Sequence, residues 1–261
     1  MERHYLLVED ADAPLFAPLA SAHRIIVPES TLLPRWLRAI PDPLNRKRRL
    51  WVHPFGLPLR GWHVQQLRRI AMGLRLEEDV MVSCDSDVVI VKPLDLATYA
   101  TGVAVRFHRR EDAQRSVEER FRADHDAWSR KAGQLLGIDA PKTTDTGYIT
   151  TMIAWRTDTL RAMAERIHEA TGRPALTALA GTRALSECTI YGRFVDEVEC
   201  RPERHAPAET SVCRVYWFGE AMTREDLERF VGTLEPGEAA ICVQSFTQTD
   251  PSLIRSVAKL G

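Results

Sequence analysis

The sequence predicts an α/β sandwich with a mostly parallel sheet. Two observations carry that prediction. Short runs rich in β-branched and apolar residues alternate with longer stretches whose apolar residues recur at helical spacing. No repeat, low-complexity tract or long linker interrupts the alternation, so one domain over residues 1–261 is expected.

The elements follow in order. Residues 4–9 (HYLLVE) read as a strand, 14–22 as a short helix, and 24–28 (RIIVP) as a second strand closed by proline. Residues 36–40, between Pro34 and Pro41, read as a short helix. Residues 62–76 form an amphipathic helix, because Val64, Leu67, Ile70, Ala71 and Leu74 share one face while Arg68, Arg69 and Arg75 fall elsewhere. Two strands flank residues 85–87, and Lys92-Pro93 stops the second. Residues 102–107 are a strand. Residues 109–136 read as one long charged helix packed through Val117, Phe121, Trp128, Ala132 and Leu135. Residues 148–155 are a strand and 157–171 a helix ending at Gly172. Ser186 is a natural N-cap for a helix over 186–198. Strands at 213–217 and 240–244 enclose a helix opened by the capping-box pattern of Thr223 and Asp226. Asp250-Pro251 starts a last short helix.

Composition narrows the function. A net charge of −1 gives no general attraction for nucleic acid or anionic lipid. The apolar runs fall short of a membrane span. The N-terminus has too short an apolar run for a signal peptide, which points to the cytoplasm. Five cysteines (84, 188, 200, 213 and 242) without a C-x-x-C pair read as free thiols of a reducing compartment. Cys200 and His205 alone do not make a zinc site. The sequence gives no oligomeric state.

The chemistry concentrates at Asp85-Ser86-Asp87, between the apolar runs 80–84 and 88–91. Two aspartates two residues apart leave an extended backbone on the same side. Their mutual repulsion is relieved by a hard divalent cation, Mn²⁺ or Mg²⁺, shared with a ligand diphosphate. Asp-Ser-Asp is also good turn chemistry, so a turn is the alternative. In open parallel sheets ligands bind beyond the carboxyl ends of strands, and Asp85 stands at such an end. The basic run 46–49 is either a solvated face or a phosphate neighbour.

Three blocks in order, GWHVQQLRRIA (61–71), VSCDSDVVIVKP (82–93) and SECTIYGRFV (186–195), resemble a family of bacterial GT-A-type glycosyltransferase-like proteins, DxD-containing and DUF6492-like. The resemblance runs over roughly residues 4–246. It implies a GT-A-like, Rossmann-like three-layer sandwich that binds a nucleotide-sugar donor and passes the sugar to a saccharide or other hydroxyl acceptor. It implies Asp87 as a ligand of the cation and Asp85 as a partner of the ribose or the metal. Relative to that pattern the chain starts one βα unit late, which predicts an incomplete base pocket. Glu187 is the expected catalytic base, the alternative being stabilisation of its own helix N-terminus. Gln65 and Gln66 are expected to bond the donor or metal-bound water, and Trp62 either to stack on the ligand or to pack. Lys92 is expected near the phosphates; Asp145, Thr146 and Tyr148 are expected to line the sugar site. A third metal ligand is unassigned, with His205 the one residue offered. A nucleotidyltransferase would want a Gly-rich phosphate loop, and none is present. A non-catalytic binding module on the same fold is the other alternative.

Overall fold

The structure, a computed structural model, describes residues 3–46 and 48–259. It is mixed α/β, with several small sheets, some of them parallel. The strands are β1 (His4–Val8), β2 (Arg24–Pro28), β3 (Arg38–Pro41), β4 (Arg49–Val52), β5 (Leu59–Arg60), β6 (Val80–Cys84), β7 (Val88–Ile90), β8 (Ala100–Thr101), β9 (Ala104–His108), β10 (Met152–Arg156), β11 (His205–Ala208), β12 (Cys213–Tyr216) and β13 (Ala240–Val243). The helices are α1 (Ala13–Phe16), α2 (Gly61–Arg75), α3 (Ala113–Ser116), α4 (Glu119–Leu136), α5 (Thr157–Thr171), α6 (Ala175–Ala180), α7 (Glu187–Phe194), α8 (Arg224–Gly232) and α9 (Pro251–Val257). Among the described residues no helix is long and apolar enough to cross a membrane.

The chain divides into two compact units. The first is Met1–Asp79, Ser116–Thr144 and Arg156–Cys200; the second is Val80–Arg115, Asp145–Trp155 and Arg201–Gly261.

In the first unit β1 and β2 pair in parallel, His4 opposite Arg24 and Val8 opposite Pro28. β3, β4 and β5 form an antiparallel sheet. Where a helix was expected over 36–40, residues 38–41 are therefore strand. Pro34 and Pro41 leave too few residues for a stable helical turn, whereas Ala39 and Ile40 pair with Trp51 and Leu50. Arg49 of the basic run lies in β4 and pairs with Glu9 at 2.6 Å; Lys47 lies outside the described residues. α2 buries the predicted face, with Val64, Leu67 and Ile70 out of solvent, each worth about 1.5–3 kcal/mol. α5 buries Leu160, Met163 and Ile167 in the same way. The helix expected at 109–136 is broken: Arg110 exchanges backbone hydrogen bonds with Gly147 at 3.0 and 2.9 Å, so α4 starts only at Glu119.

Arg193 of α7 is fully buried in this unit and fully engaged. Its guanidinium binds Glu197 at 2.5 and 2.7 Å and donates to the carbonyls of Ser129, Lys142 and Pro141. The π-helical turn Val195–Glu199, which follows α7, brings Glu197 to it.

The second unit holds three small sheets: β6 with β10, then β11-β9-β8, then β12-β13-β7. β12 and β13 are parallel, and β7 runs antiparallel to β13. β9 and β11 are parallel; β11 was not expected, because His205-Ala-Pro-Ala208 lacks a strand pattern. The core joins Tyr99, Val105, Met152, Ala154, Val212, Cys213, Ala240 and Cys242. The turn Asp85–Val88 is closed by the Val88 N–H on the Asp85 carbonyl at 3.2 Å. β6 and β7 do not pair with each other; the turn hands the chain from one sheet to the next.

Candidate functional site

The residues singled out in the sequence fall in both units. Trp62, Gln65, Gln66 and Glu187 belong to the first, Asp85, Asp87, Lys92, Asp145 and Tyr148 to the second.

In the first unit Glu187 opens α7, whose N-cap Ser186 accepts from the Thr189 N–H at 3.3 Å. The Glu187 carboxylate is buried and forms an ion pair with Arg69 of α2. Its backbone N–H donates to Gln66 Oε1 at 2.9 Å. Gln66 is buried too, and its Nε2 has no hydrogen-bond partner among the described residues. These groups tie α2 to α7. The residue expected as the base is thus held in an ion pair at the contact of α2 with α7. Gln65 is exposed. Trp62 is half exposed, with its ring 5.3 Å from that of Trp128 and 5.0 Å from His63. Cys200, in this unit, donates its thiol to the Asp196 carbonyl at 3.4 Å.

In the second unit the Asp-Ser-Asp triplet sits where β6, β12 and β13 end and β7 begins. β6 runs straight into Asp85. The register pairs Tyr216 with Val243 at the carboxyl ends of β12 and β13, and Cys242 with Val88 at the start of β7. Asp87 therefore lies at the carboxyl edge of the parallel pair. Asp85 and Asp87 are both half-buried while Ser86 between them is exposed. The backbone adopts the turn, and both aspartates are carried on it.

Asp87 has a partner that the sequence did not reveal. Cys242 Sγ donates to Asp87 Oδ1 at 3.4 Å, and Gln244 Nε2 donates to that sulfur at 3.5 Å. Burial, followed by the Asp87 charge, pushes the Cys242 thiol far up. Burial pushes Cys213 up to about 11. Both thiols stay protonated at neutral pH, so Cys242 is a donor and not a thiolate. The one available signal was that Cys242 and Gln244 share a face of their strand; which face met Asp87 depended on register.

The other expected residues are elsewhere. β7 separates Lys92 from Asp87, a span of roughly 16 Å at strand rise, and Lys92 Nζ bonds the Leu234 carbonyl at 3.2 Å. Tyr148 is buried and stacks on Phe107 at 5.7 Å, so it packs the interior of the unit. His205 is buried against the same Phe107 ring at 5.4 Å. Asp145 is exposed, and its carbonyl accepts from Gln114 N–H at 3.3 Å.

Among the described residues no group of three or more His, Cys, Asp or Glu side chains is arranged to hold a metal ion. Asp85 and Asp87 supply hard oxygens only. Such a pair does not form a closed protein cage. It does fit a cation that fills the rest of its shell with water and ligand phosphates.

A model of a family of unknown function, DUF6492, matches residues 1–260. The chain belongs to this family. No curated protein matches it. The family match spans both compact units, so the Asp85–Asp87 turn and the Arg69–Glu187 pair fall within one family sequence.

Proposed function

We propose that this member of the family is a metal-dependent glycosyltransferase with a GT-A-like fold. It would move a sugar from a nucleotide-sugar donor to a hydroxyl acceptor, as in bacterial polysaccharide or glycoconjugate synthesis. The observation that carries the reading is the place of Asp85 and Asp87. Two half-buried carboxylates stand at the carboxyl edge of a parallel strand pair, where α/β sheets bind ligands. Asp87 is steadied there by the Cys242 thiol.

Asp85 and Asp87 would hold Mn²⁺ or Mg²⁺ together with the donor diphosphate. When bound, the cation supplies charge neutralisation for the departing nucleoside diphosphate. The chain's own part is to fix the carboxylates: the Val88 N–H on the Asp85 carbonyl closes the turn that carries both, and Cys242 with Gln244 orients Asp87.

A second reading is a non-catalytic binding module on the same fold. It is favoured by the engagement of Glu187 with Arg69, which withdraws the expected base. A thermal-shift panel of nucleoside diphosphates with and without Mn²⁺, followed by a donor-hydrolysis assay, tests both. Glycosyl transfer predicts a shift that needs metal and nucleotide together, turnover of a nucleotide-sugar, and loss of both in Asp87→Ala. Metal-dependent binding without turnover would favour the module. No metal-dependent nucleotide binding would end the donor-binding reading.

A further inference from the structure

At the carboxyl edge that carries Asp87, three large aromatic residues face water: Trp217 is 43%, Phe218 45% and Phe246 58% exposed. Single exposed apolar residues are ordinary, whereas a contiguous group has a use. Phe218 lies just past the end of β12 and Phe246 just past the end of β13. Those ends are register neighbours, Tyr216 beside Val243. The two phenyl rings lie 5.8 Å apart, inclined at 34°. At about 3.3 Å per residue, both rings come within roughly 10 Å of the strand ends.

The loops bearing them are built to hold the rings outward. Gly219 follows Phe218 with φ +147°, and a Cβ there would come within 1.7 Å of Tyr216 Oη. Only glycine lets the loop fold over that ring. Tyr216 Oη–H donates to the Glu220 carbonyl at 3.1 Å. On the other loop the Thr247 hydroxyl donates to the Gln244 carbonyl at 2.8 Å. Its one proton is then spent, so the Thr249 hydroxyl donates to Thr247 Oγ1 at 3.0 Å. Thr249 Oγ1 accepts the Met222 N–H at 3.1 Å, which stitches the first loop to the second. Gln244 N–H also reaches the Tyr216 carbonyl, at 3.3 Å. The same Gln244 bonds Cys242, the partner of Asp87. The rings and the carboxylates thus share one framework.

We propose that Phe218 and Phe246 form a stacking platform for the nucleobase of the ligand whose phosphates Asp85 and Asp87 hold through a cation, an inference that rests on the donor-binding reading above. A flat, uncharged surface with its neighbouring threonine hydroxyls already engaged suits a π face. It suits a sugar poorly, because a sugar asks for hydrogen-bond partners around its rim.

The test titrates uridine and adenosine 5′-diphosphates, inorganic pyrophosphate, and the free nucleosides, with Mn²⁺ present, against wild type, Phe218→Ala, Phe246→Ala and Phe246→Trp. The platform predicts tighter binding of nucleoside diphosphate than of pyrophosphate by wild type. Each alanine variant would lose about tenfold on the nucleoside diphosphates, the range of one base–aromatic stack, and keep its pyrophosphate affinity. Phe246→Trp would keep both. Equal binding of both phosphates by wild type, or alanine variants that keep the wild-type preference, would overturn the platform and leave the metal reading standing. Nucleoside binding that depends on Phe246 but not on phosphate or Mn²⁺ would uphold the platform and remove the metal reading. Displacement of nucleoside by a neutral oligosaccharide, or no binding of any probe, would overturn the nucleobase assignment.

Discussion

The Cys242 thiol donates to the Asp87 carboxylate from the adjacent strand, at 3.4 Å. The bond turns a surface turn residue into a positioned one. Removing the sulfur leaves Asp87 Oδ1 without this donor and the Gln244 amide without this acceptor. Partners that orient a metal ligand typically change metal affinity by about 10–100-fold when removed. We expect Cys242→Ala to weaken Mn²⁺-dependent nucleoside diphosphate binding by about tenfold, the lower end of that range. Cys242→Ser, which retains a donor, should recover most of it. Titration of Mn²⁺ at fixed nucleotide checks this; an alanine variant with wild-type affinity would show that the thiol only packs.

Arg69 and Glu187 make the opposite case, a pair whose role is stability. Removing one partner of a buried ion pair strands the other charge and costs about 3–5 kcal/mol. Glu187→Gln should therefore lower the melting temperature markedly. Joint replacement by Arg69→Met and Glu187→Leu should cost less than the sum of the single changes, because no charge is left unpaired. Thermal unfolding of the single and double variants reads this directly. A Glu187→Gln protein with unchanged melting temperature and no turnover would restore Glu187 as the base.

What the sequence revealed and what it hid follow one physical division. Elements set by local patterns were legible: α2 from its apolar stripe, α5 from its terminal Gly172, and α8 from the Thr223 capping box. The Asp85–Asp87 turn was legible for the same reason, since both its flanking strands and its turn chemistry are local. Contacts set by partners far along the chain were not. Glu187 met Arg69 across 118 residues, and Asp87 met Cys242 across 155. Residues 38–41 became a strand because Leu50 and Trp51 lie opposite. The expected long helix broke at its start because Arg110 paired with Gly147. The expected mostly parallel sheet became several small sheets because β7 turned antiparallel to β13 and left β6 to β10. Lys92 follows the same division: its ammonium bonds the Leu234 carbonyl, 142 residues further along the chain.

Two glycines separate helix propensity from packing. In a helix alanine is favoured over glycine by about 1 kcal/mol. At Gly232, the last residue of α8, an added Cβ meets nothing within 4 Å. Gly232→Ala should stabilise by up to that amount. At Gly133, inside α4, the Cβ would lie 2.6 Å from Arg193 Nη1. That guanidinium is locked by Glu197 and three carbonyls, so it cannot move aside. Gly133→Ala should destabilise despite the better propensity, by about 1–3 kcal/mol as for an overpacked core. Urea midpoints of the two variants should move in opposite directions. A stabilised Gly133→Ala would mean that the Arg193 network yields.

The buried acids of the second unit fix how stability responds to alkali. Burial raises Cys213 from 9.0 to about 11 and Tyr99 from 10.0 to about 12. Cys242 is raised by burial and by Asp87. In each case the folded state favours the neutral, protonated form. The unfolded chain loses these protons first, so the folded state binds more protons above pH 9. Stability contributed by Cys213 is complete below pH 9 and is lost as pH rises toward 11. Tyr99 adds a loss of the same sign between pH 10 and 12. Each group contributes a slope of about 1.4 kcal/mol per pH unit within its window. Denaturant unfolding at pH 8, 9 and 10 should show a falling free energy, and Cys213→Ala should flatten the slope whatever it does to stability at pH 8. Exposure predicts that iodoacetamide labels Cys84 and Cys200 in the native protein and spares the buried Cys188, Cys213 and Cys242. A slope unchanged by Cys213→Ala would assign the alkaline loss to other groups.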